Sequence, residues 1–175
     1  MRDTQRSKVY SAQNVLHWLF DSAVQTGNPV VTINGVTVTL PPEAKFGCVN
    51  SIQTYLNRVM QMPDIAKHRR FTPTVRERKG TTKAHYQSGT IAIPVHRDGK
   101  WAMREMVVLH ELAHHLAPGD RHGPGFVAVF LSLLGTVLGP EAELVARMVF
   151  IDNGVQTSPA ALRSEGSRRE DPKAS

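Results

Sequence analysis

The run Val107-Val108-Leu109-His110-Glu111-Leu112-Ala113-His114-His115-Leu116 constrains the fold of this chain more than any other stretch. Its flanks are apolar nearly all round a helical wheel and contain no Pro or Gly, so it predicts a helix buried on every side. Two imidazoles and a carboxylate inside such a helix must find partners within the protein, because burying them unpaired is costly. The spacing offers one solution for all three. At about 3.6 residues per turn His110 and His114 lie one turn apart on one face, and both neutral rings can reach a single metal ion. Glu111 sits about 100° further round, off the ligand axis but placed to take a proton from a water that the ion activates.

The H-E-x-x-H pattern is short, and the residues after it sharpen the reading. Eight residues past His114 comes His122-Gly123-Pro124-Gly125-Phe126. Pro118-Gly119 breaks the helix, and the Asp120-Arg121 turn can swing His122 back over the first two rings. Three protein ligands with the fourth position open is the catalytic arrangement of zinc. His110, His114 and His122 are therefore the candidate ligands, Zn²⁺ the candidate cofactor and Glu111 the candidate general base. A purely structural zinc site would fill all four positions with protein ligands, often thiolates, and the single Cys48 lies far away in sequence. His115 shares the side of Glu111 and is expected to pack or to bond a backbone carbonyl.

His110-Glu111-x-x-His114 followed by His-Gly-Pro-x-Phe resembles the SprT/Spartan-like zincin metallopeptidases. The opening Arg2-Asp3-Thr4-Gln5-Arg6-Ser7-Lys8-Val9-Tyr10 is similar to the start of an uncharacterised actinobacterial and phage family of metallohydrolases, a likeness that runs to about Asp152. The resemblance implies a zincin fold and a zinc-dependent hydrolase, most readily a peptidase, and supplies no substrate. Among zincins, gluzincins and the ImmA/IrrE-like regulatory peptidases place a carboxylate ligand further on, and Glu141 and Glu143 lie 27 and 29 residues past His114. Either glutamate is thus an alternative third ligand, although both suit the positive N-terminal end of a helix starting at Pro140. The resemblance also implies that an extended substrate joins the strand before the motif helix, between Ala84 and Pro94, with His85 and Tyr86 as candidates for oxyanion donors.

Taken in order, the chain predicts an α+β fold of one zincin-like domain over residues 1–154, with a small, mostly antiparallel sheet packed on helices that include the buried motif helix. Val9, Val15, Leu16, Leu19, Ala23 and Val24 recur at helical spacing before the stop at Gly27-Asn28-Pro29. Val30 to Ile33 and Val36 to Leu40 flank Asn34-Gly35 and read as a hairpin. Val49 to Met60 reads as an amphipathic helix with Cys48 at its start as a buried or half-buried thiol. Val75 to Arg78 reads as one strand, and Ala84 to Ile93 as a hairpin or bulged turn ending at Pro94. His96 to Gly99 is a loop, with Asp98 placed to cap a helix that begins near Lys100 or Trp101. Helices are expected from Pro124 and from Pro140 through Ile151. Residues 155–175, rich in Ser, Pro, Gly and charge, are expected to form a disordered tail.

The net charge of +6 concentrates between Lys67 and Lys83, where Arg69, Arg70, Arg76, Arg78 and Lys79 face only Glu77. The expected partner is a protein or peptide. SprT/Spartan-like proteases act on proteins attached to DNA, so the resemblance adds nucleic acid as a candidate partner through segment 67–83. A solvated basic face is the simpler expectation, because Phe71 alone interleaves an aromatic ring with these charges. No apolar run is long enough to span a bilayer, and no secretory leader is legible, so a cytoplasmic location without membrane contact is expected.

Overall fold

The periodicities resolve into six helices and two small sheets among the described residues, 3–80, 83–96 and 101–157 of a computed structural model. Helix α1 (Arg6–Thr26) ends at Gly27, whose φ of 66° lets its N–H reach back to the Val24 carbonyl. Its buried stripe is Val9, Ala12, Leu16 and Phe20, with Gln13 alongside. Val15 and Val24, expected on that stripe, are 40% and 75% exposed. A heptad-spaced face running through Val9 and Leu16 turns both of them outward.

Strands β1 (Val30–Ile33) and β2 (Val36–Thr39) form the expected hairpin, in register from Val30↔Thr39 to Ile33↔Val36. Asn34 and Gly35 have φ of 50° and 80°, the positive pair that a type I′ turn requires. Helix α2 (Val49–Val59) buries Ile52, Leu56 and Val59, and leads into a one-turn α3 (Pro63–Ala66) that the periodicity does not predict. Cys48 is exposed rather than buried or half-buried. It caps α2 in an extended conformation, exchanging hydrogen bonds with Ser51, and that position faces outward.

The second sheet orders β3 (Thr74–Arg78), β5 (Thr90–Pro94) and β4 (His85–Gln87) as β3-β5-β4. β4 pairs with β5 antiparallel, whereas β3 pairs with β5 parallel, from Thr74↔Thr90 to Arg78↔Pro94. The expected single, mostly antiparallel sheet is thus two sheets, and one of them contains a parallel pair. β5 sits in the middle and buries Ile91, Ala92 and Ile93 in succession, which is why it reads as a continuous apolar run without alternation. β4 is left as an edge.

Helix α4 (Glu105–Leu116) carries the motif and buries all of its residues except His114. It begins later than the expected start near Lys100 or Trp101, because Arg104 is held extended immediately before it. The Arg104 guanidinium bonds Asp21 and Glu43, while Glu43 also accepts the Met106 N–H at 3.0 Å. Glu105 in turn accepts the Ala44 N–H at 2.9 Å and the Tyr55 hydroxyl at 2.7 Å. Trp101 and Ala102 belong to a short 3₁₀ turn, and Asp98 and Lys100 lie outside the described residues.

Helices α5 (Pro124–Val137) and α6 (Pro140–Asp152) complete the core, α5 packing on both α4 and α6 while α6 also packs on α1. Val155 is 5% exposed and the Gln156 N–H bonds the Gln5 side chain, so the fold continues past the expected boundary at 154. Residues 158–175, most of the expected tail, lie outside the described residues. Among the described residues no helix is long and apolar enough to cross a membrane.

Candidate metal centre

His110 and His114 project from one face of α4, and the loop between α4 and α5 returns His122 to them. Ring centroids lie 4.9 Å apart for His110 and His114, 5.3 Å for His110 and His122, and 4.8 Å for His114 and His122. One nitrogen of each ring lies within 4.8 Å of the others, which makes the triad a cluster that could hold a metal ion. Glu141 and Glu143, the alternative ligands, are not in this cluster. Both occupy the first turn of α6, where Glu143 pairs with Arg147 four residues on.

The return of His122 has a local cause. Arg121 adopts a left-handed φ of 49°, and the Gly123 N–H bonds the Asp120 carbonyl at 2.7 Å. The Asp120 carboxylate then accepts the Phe126 N–H at 2.8 Å and so caps the first turn of α5. A Cβ on Gly123 or Gly125 would run into that carboxylate, which explains why two glycines stand in the His-Gly-Pro-Gly-Phe stretch. Phe126 is fully buried and stacks on His114 at 4.3 Å, with the other two rings meeting it edge-on at 4.9 and 5.1 Å. One aromatic ring therefore seats all three imidazoles.

The fit to a metal can be tested on the donor atoms. Nε2 of His110 and Nε2 of His122 are buried without a hydrogen-bond partner, and orphaned buried nitrogens converging on one point are what a ligand set presents. Burial, reinforced by the neighbouring imidazoles, holds His110 well below its ordinary value, and burial with His122 beside it lowers His114 to about 4. Both rings are neutral near pH 7 and keep a free lone pair. On the far side of its ring, Nδ1 of His122 lies 2.7 Å from the Asp3 carboxylate, and Nδ1 of His110 lies 2.8 Å from the Gln13 amide. A ring offering Nε2 to a metal carries its proton on Nδ1, so Asp3 is a matched acceptor, whereas Gln13 turns its amide Nε2 toward the ring and becomes an acceptor once the amide is flipped to present its oxygen. The residues present suit a divalent cation that takes imidazole ligands.

Glu111 lies at the junction of two cavities beside the triad. Burial raises its carboxyl to about 7, while the Tyr86 backbone N–H and Arg78 pull the other way. His115 behaves as expected: its Nε2–H donates to the Phe71 carbonyl at 2.7 Å, and its Nδ1 accepts from the Tyr86 hydroxyl at 3.0 Å. The Tyr86 oxygen also accepts the Gly89 N–H at 3.0 Å. With donor and acceptor sides both engaged, Tyr86 braces the wall. His85 faces solvent beside Gln87 and lines the cleft.

Sequence reasoning missed Asp3, Tyr10 and Gln13 as parts of the site. Tyr10 lines both cavities, with its ring 5.6 Å from that of His110 and 5.3 Å from that of His122. Burial and the Glu111 charge push its phenol up, so it remains a proton donor at neutral pH. A signal was available: Asp3, Arg6, Tyr10, Gln13 and His17 recur at spacings of three and four, a polar stripe beside the apolar stripe of α1. A comparison of the chain with family models, with curated proteins and with solved structures finds no match.

Proposed function

We propose that this protein is a zinc-dependent hydrolase acting on peptide bonds, with His110, His114 and His122 as the metal ligands and Glu111 as the general base. The observation that carries this reading is the convergence of three imidazoles whose orphaned Nε2 atoms, on His110 and His122, share one point beside a buried carboxylate. When bound, zinc supplies Lewis acidity toward a carbonyl oxygen and toward water. Glu111 takes a proton from the water that attacks the scissile carbonyl and delivers it to the departing amine, so that the carboxylate is regenerated. Tyr10, a protonated phenol beside two of the ligands, is the donor we assign to the developing oxyanion, and Asp3 and Gln13 hold the rings of His122 and His110 in register.

Elemental analysis alongside hydrolysis of an unfolded protein mixture tests this assignment. The wild-type chain should hold about one zinc, each of His110→Ala, His114→Ala and His122→Ala should lose it, and Glu111→Gln should keep it while losing turnover by about 10²-fold or more. Zinc retained by His122→Ala but lost by Glu141→Ala or Glu143→Ala would replace the third ligand. Full activity of Glu111→Gln would exclude the mechanism.

A further inference from the structure

Two cavities of opposite character meet at Glu111. One, of about 460 Å³, lies between α1 and α4; its lining includes Tyr10, Asn14, His17, Trp101 and Val107, together with Arg6 and Lys83, which it shares with the second cavity. It contains no acidic group but Glu111, and burial lowers His17 to about 4, so that imidazole is neutral at pH 7. Its volume falls within the range of about 300–1,000 Å³ that ligand pockets occupy, which is ample for one large side chain. The other is a cleft of about 680 Å³ that runs past His114 and His122. Its walls carry four cations, Arg6, Arg78, Lys83 and Arg121, against two carboxylates, Asp3 and Glu111.

The charge imbalance is real at the level of pairs. Asp3 is engaged by His122, and Glu111 is the group the proposed reaction requires. Among the described residues, none of the four cations is paired with a carboxylate: the ion pairs formed by Lys45, Lys67, Arg104 and Arg147 all lie elsewhere. The cleft and the apolar cavity share Arg6, Tyr10, Lys83, Ala84 and Glu111, so one extended chain lying across Glu111 would enter both. The cleft is also lined by His85 and Tyr86 of β4, an edge strand that among the described residues pairs with no strand but β5. An edge of that kind adds a polypeptide by main-chain hydrogen bonds, which a nucleic acid cannot supply.

We infer that the substrate is an acidic polypeptide segment, with carboxylate side chains over Arg78, Lys83 and Arg121 on one side of the scissile bond and a large apolar side chain in the α1–α4 cavity on the other. This rests on the peptidase reading above. Carboxylates approaching unpaired, partly exposed cations gain Coulomb energy that salt screens, and the apolar side chain gains by leaving water. The same basic residues that read in sequence as a solvated face are thereby divided: Arg78 and Lys83 line the cleft, whereas Lys67, Arg69 and Arg70 do not.

The zinc-loaded full chain is titrated calorimetrically with peptide hydroxamates, in which the metal-chelating group stands at either end of the peptide. The residue beside the chelator is Leu or Ala, and the remaining residues are Glu, Gln or Lys. In at least one orientation the Glu peptide should bind about tenfold more tightly than the Lys peptide, and the gap should narrow as salt rises. Leu beside the chelator should bind about tenfold more tightly than Ala. Arg78→Gln combined with Lys83→Gln should close the first gap, and Asn14→Trp, which fills the apolar cavity from an exposed position, should close the second, with zinc content unchanged in both. Glu and Lys peptides binding within about twofold of each other in both orientations would overturn the inference, as would gaps that survive these substitutions. Displacement of the Glu peptide by single-stranded DNA at concentrations below its own Kd would also overturn it, by giving the cleft to nucleic acid. Because the readout is binding, gaps found without any hydrolysis would sink the peptidase reading and keep the divided cleft, whereas hydrolysis without gaps would do the reverse.

Discussion

His110 and His122 each present one nitrogen toward the shared point and lean the other on a polar side chain, Gln13 and Asp3 respectively. Such partners fix ring orientation and raise ligand basicity, and losing one typically weakens a metal site about 10–100-fold. Asp3→Asn and Gln13→Leu should each reduce zinc affinity by that order in competition with a chelator, and unchanged affinity would show that the contacts do not position the rings. Tyr10→Phe should keep zinc and lower kcat by about 10²-fold, the usual cost of one oxyanion donor. His17 is a residue-scale liability of a different kind. Burial, assisted by the Arg104 charge, holds it at about 4 against an ordinary 6.5. The unfolded chain therefore takes up the proton first as pH falls, so stability declines from about pH 6.5 down to about 4 and is fully present above that window. His17→Gln should remove this share, about 2 kcal/mol at pH 4.5 relative to pH 7, when urea unfolding of the two proteins is compared. Equal pH slopes would refute it.

At the scale of elements, the start of α4 and the loop behind it decide where the ligands stand. The Arg104 and Glu43 side chains are 7% and 2% exposed, and burial pushes the Glu43 carboxyl upward while the Arg104 pairing outweighs it and holds it below its ordinary value. Arg104→Met would leave that buried carboxylate only the half-exposed Lys45 ammonium at 3.0 Å as a cation, a loss of about 2–3 kcal/mol measurable as a lowered denaturation midpoint. The loop is equally exacting. In Gly123→Ala the new Cβ meets the Asp120 carboxylate, which must move and release the Phe126 N–H it caps. We expect Gly123→Ala to lower stability by about 1–2 kcal/mol and zinc affinity with it, because Phe126 seats all three imidazoles. Loss of stability with zinc affinity intact would separate the cap from the site.

Across the whole molecule, the metal centre is closed by residues far apart in sequence. Gln5 donates to the His122 carbonyl at 3.2 Å and binds Gln156 through its other end, so the first residues, the α4–α5 loop and the segment after α6 share one junction. Deleting residues 1–5 removes this junction together with Asp3. The truncated chain should fold with a lower Tm and release zinc to a chelator at least tenfold more readily than the full chain. For the full chain, chelation alone should lower Tm, since a ligand that binds the native state stabilises it in proportion to the logarithm of its saturation.

The buried motif helix, the Asn34-Gly35 hairpin, the starts of α5 and α6 at Pro124 and Pro140, and His110, His114 and His122 as candidate ligands were all legible in the sequence. Each of these is a local matter: helical periodicity, a dipeptide that accepts positive φ, a ring that presets φ, and a one-turn spacing of imidazoles act within a few residues of themselves. The parallel pairing of β3 with β5, the late start of α4, the exposure of Cys48 and the roles of Asp3, Tyr10 and Gln13 were decided by tertiary structure. Strand order depends on which edge the rest of the fold leaves free, and α4 is delayed because Asp21 and Glu43, from elsewhere in the chain, hold Arg104 extended. A polar side chain on α1 reads as solvated until packing carries it inward. Asp3 and Gln13 come to face imidazoles 119 and 97 residues away, a juxtaposition set by long-range burial; the local pattern shows their polar stripe but not what it faces.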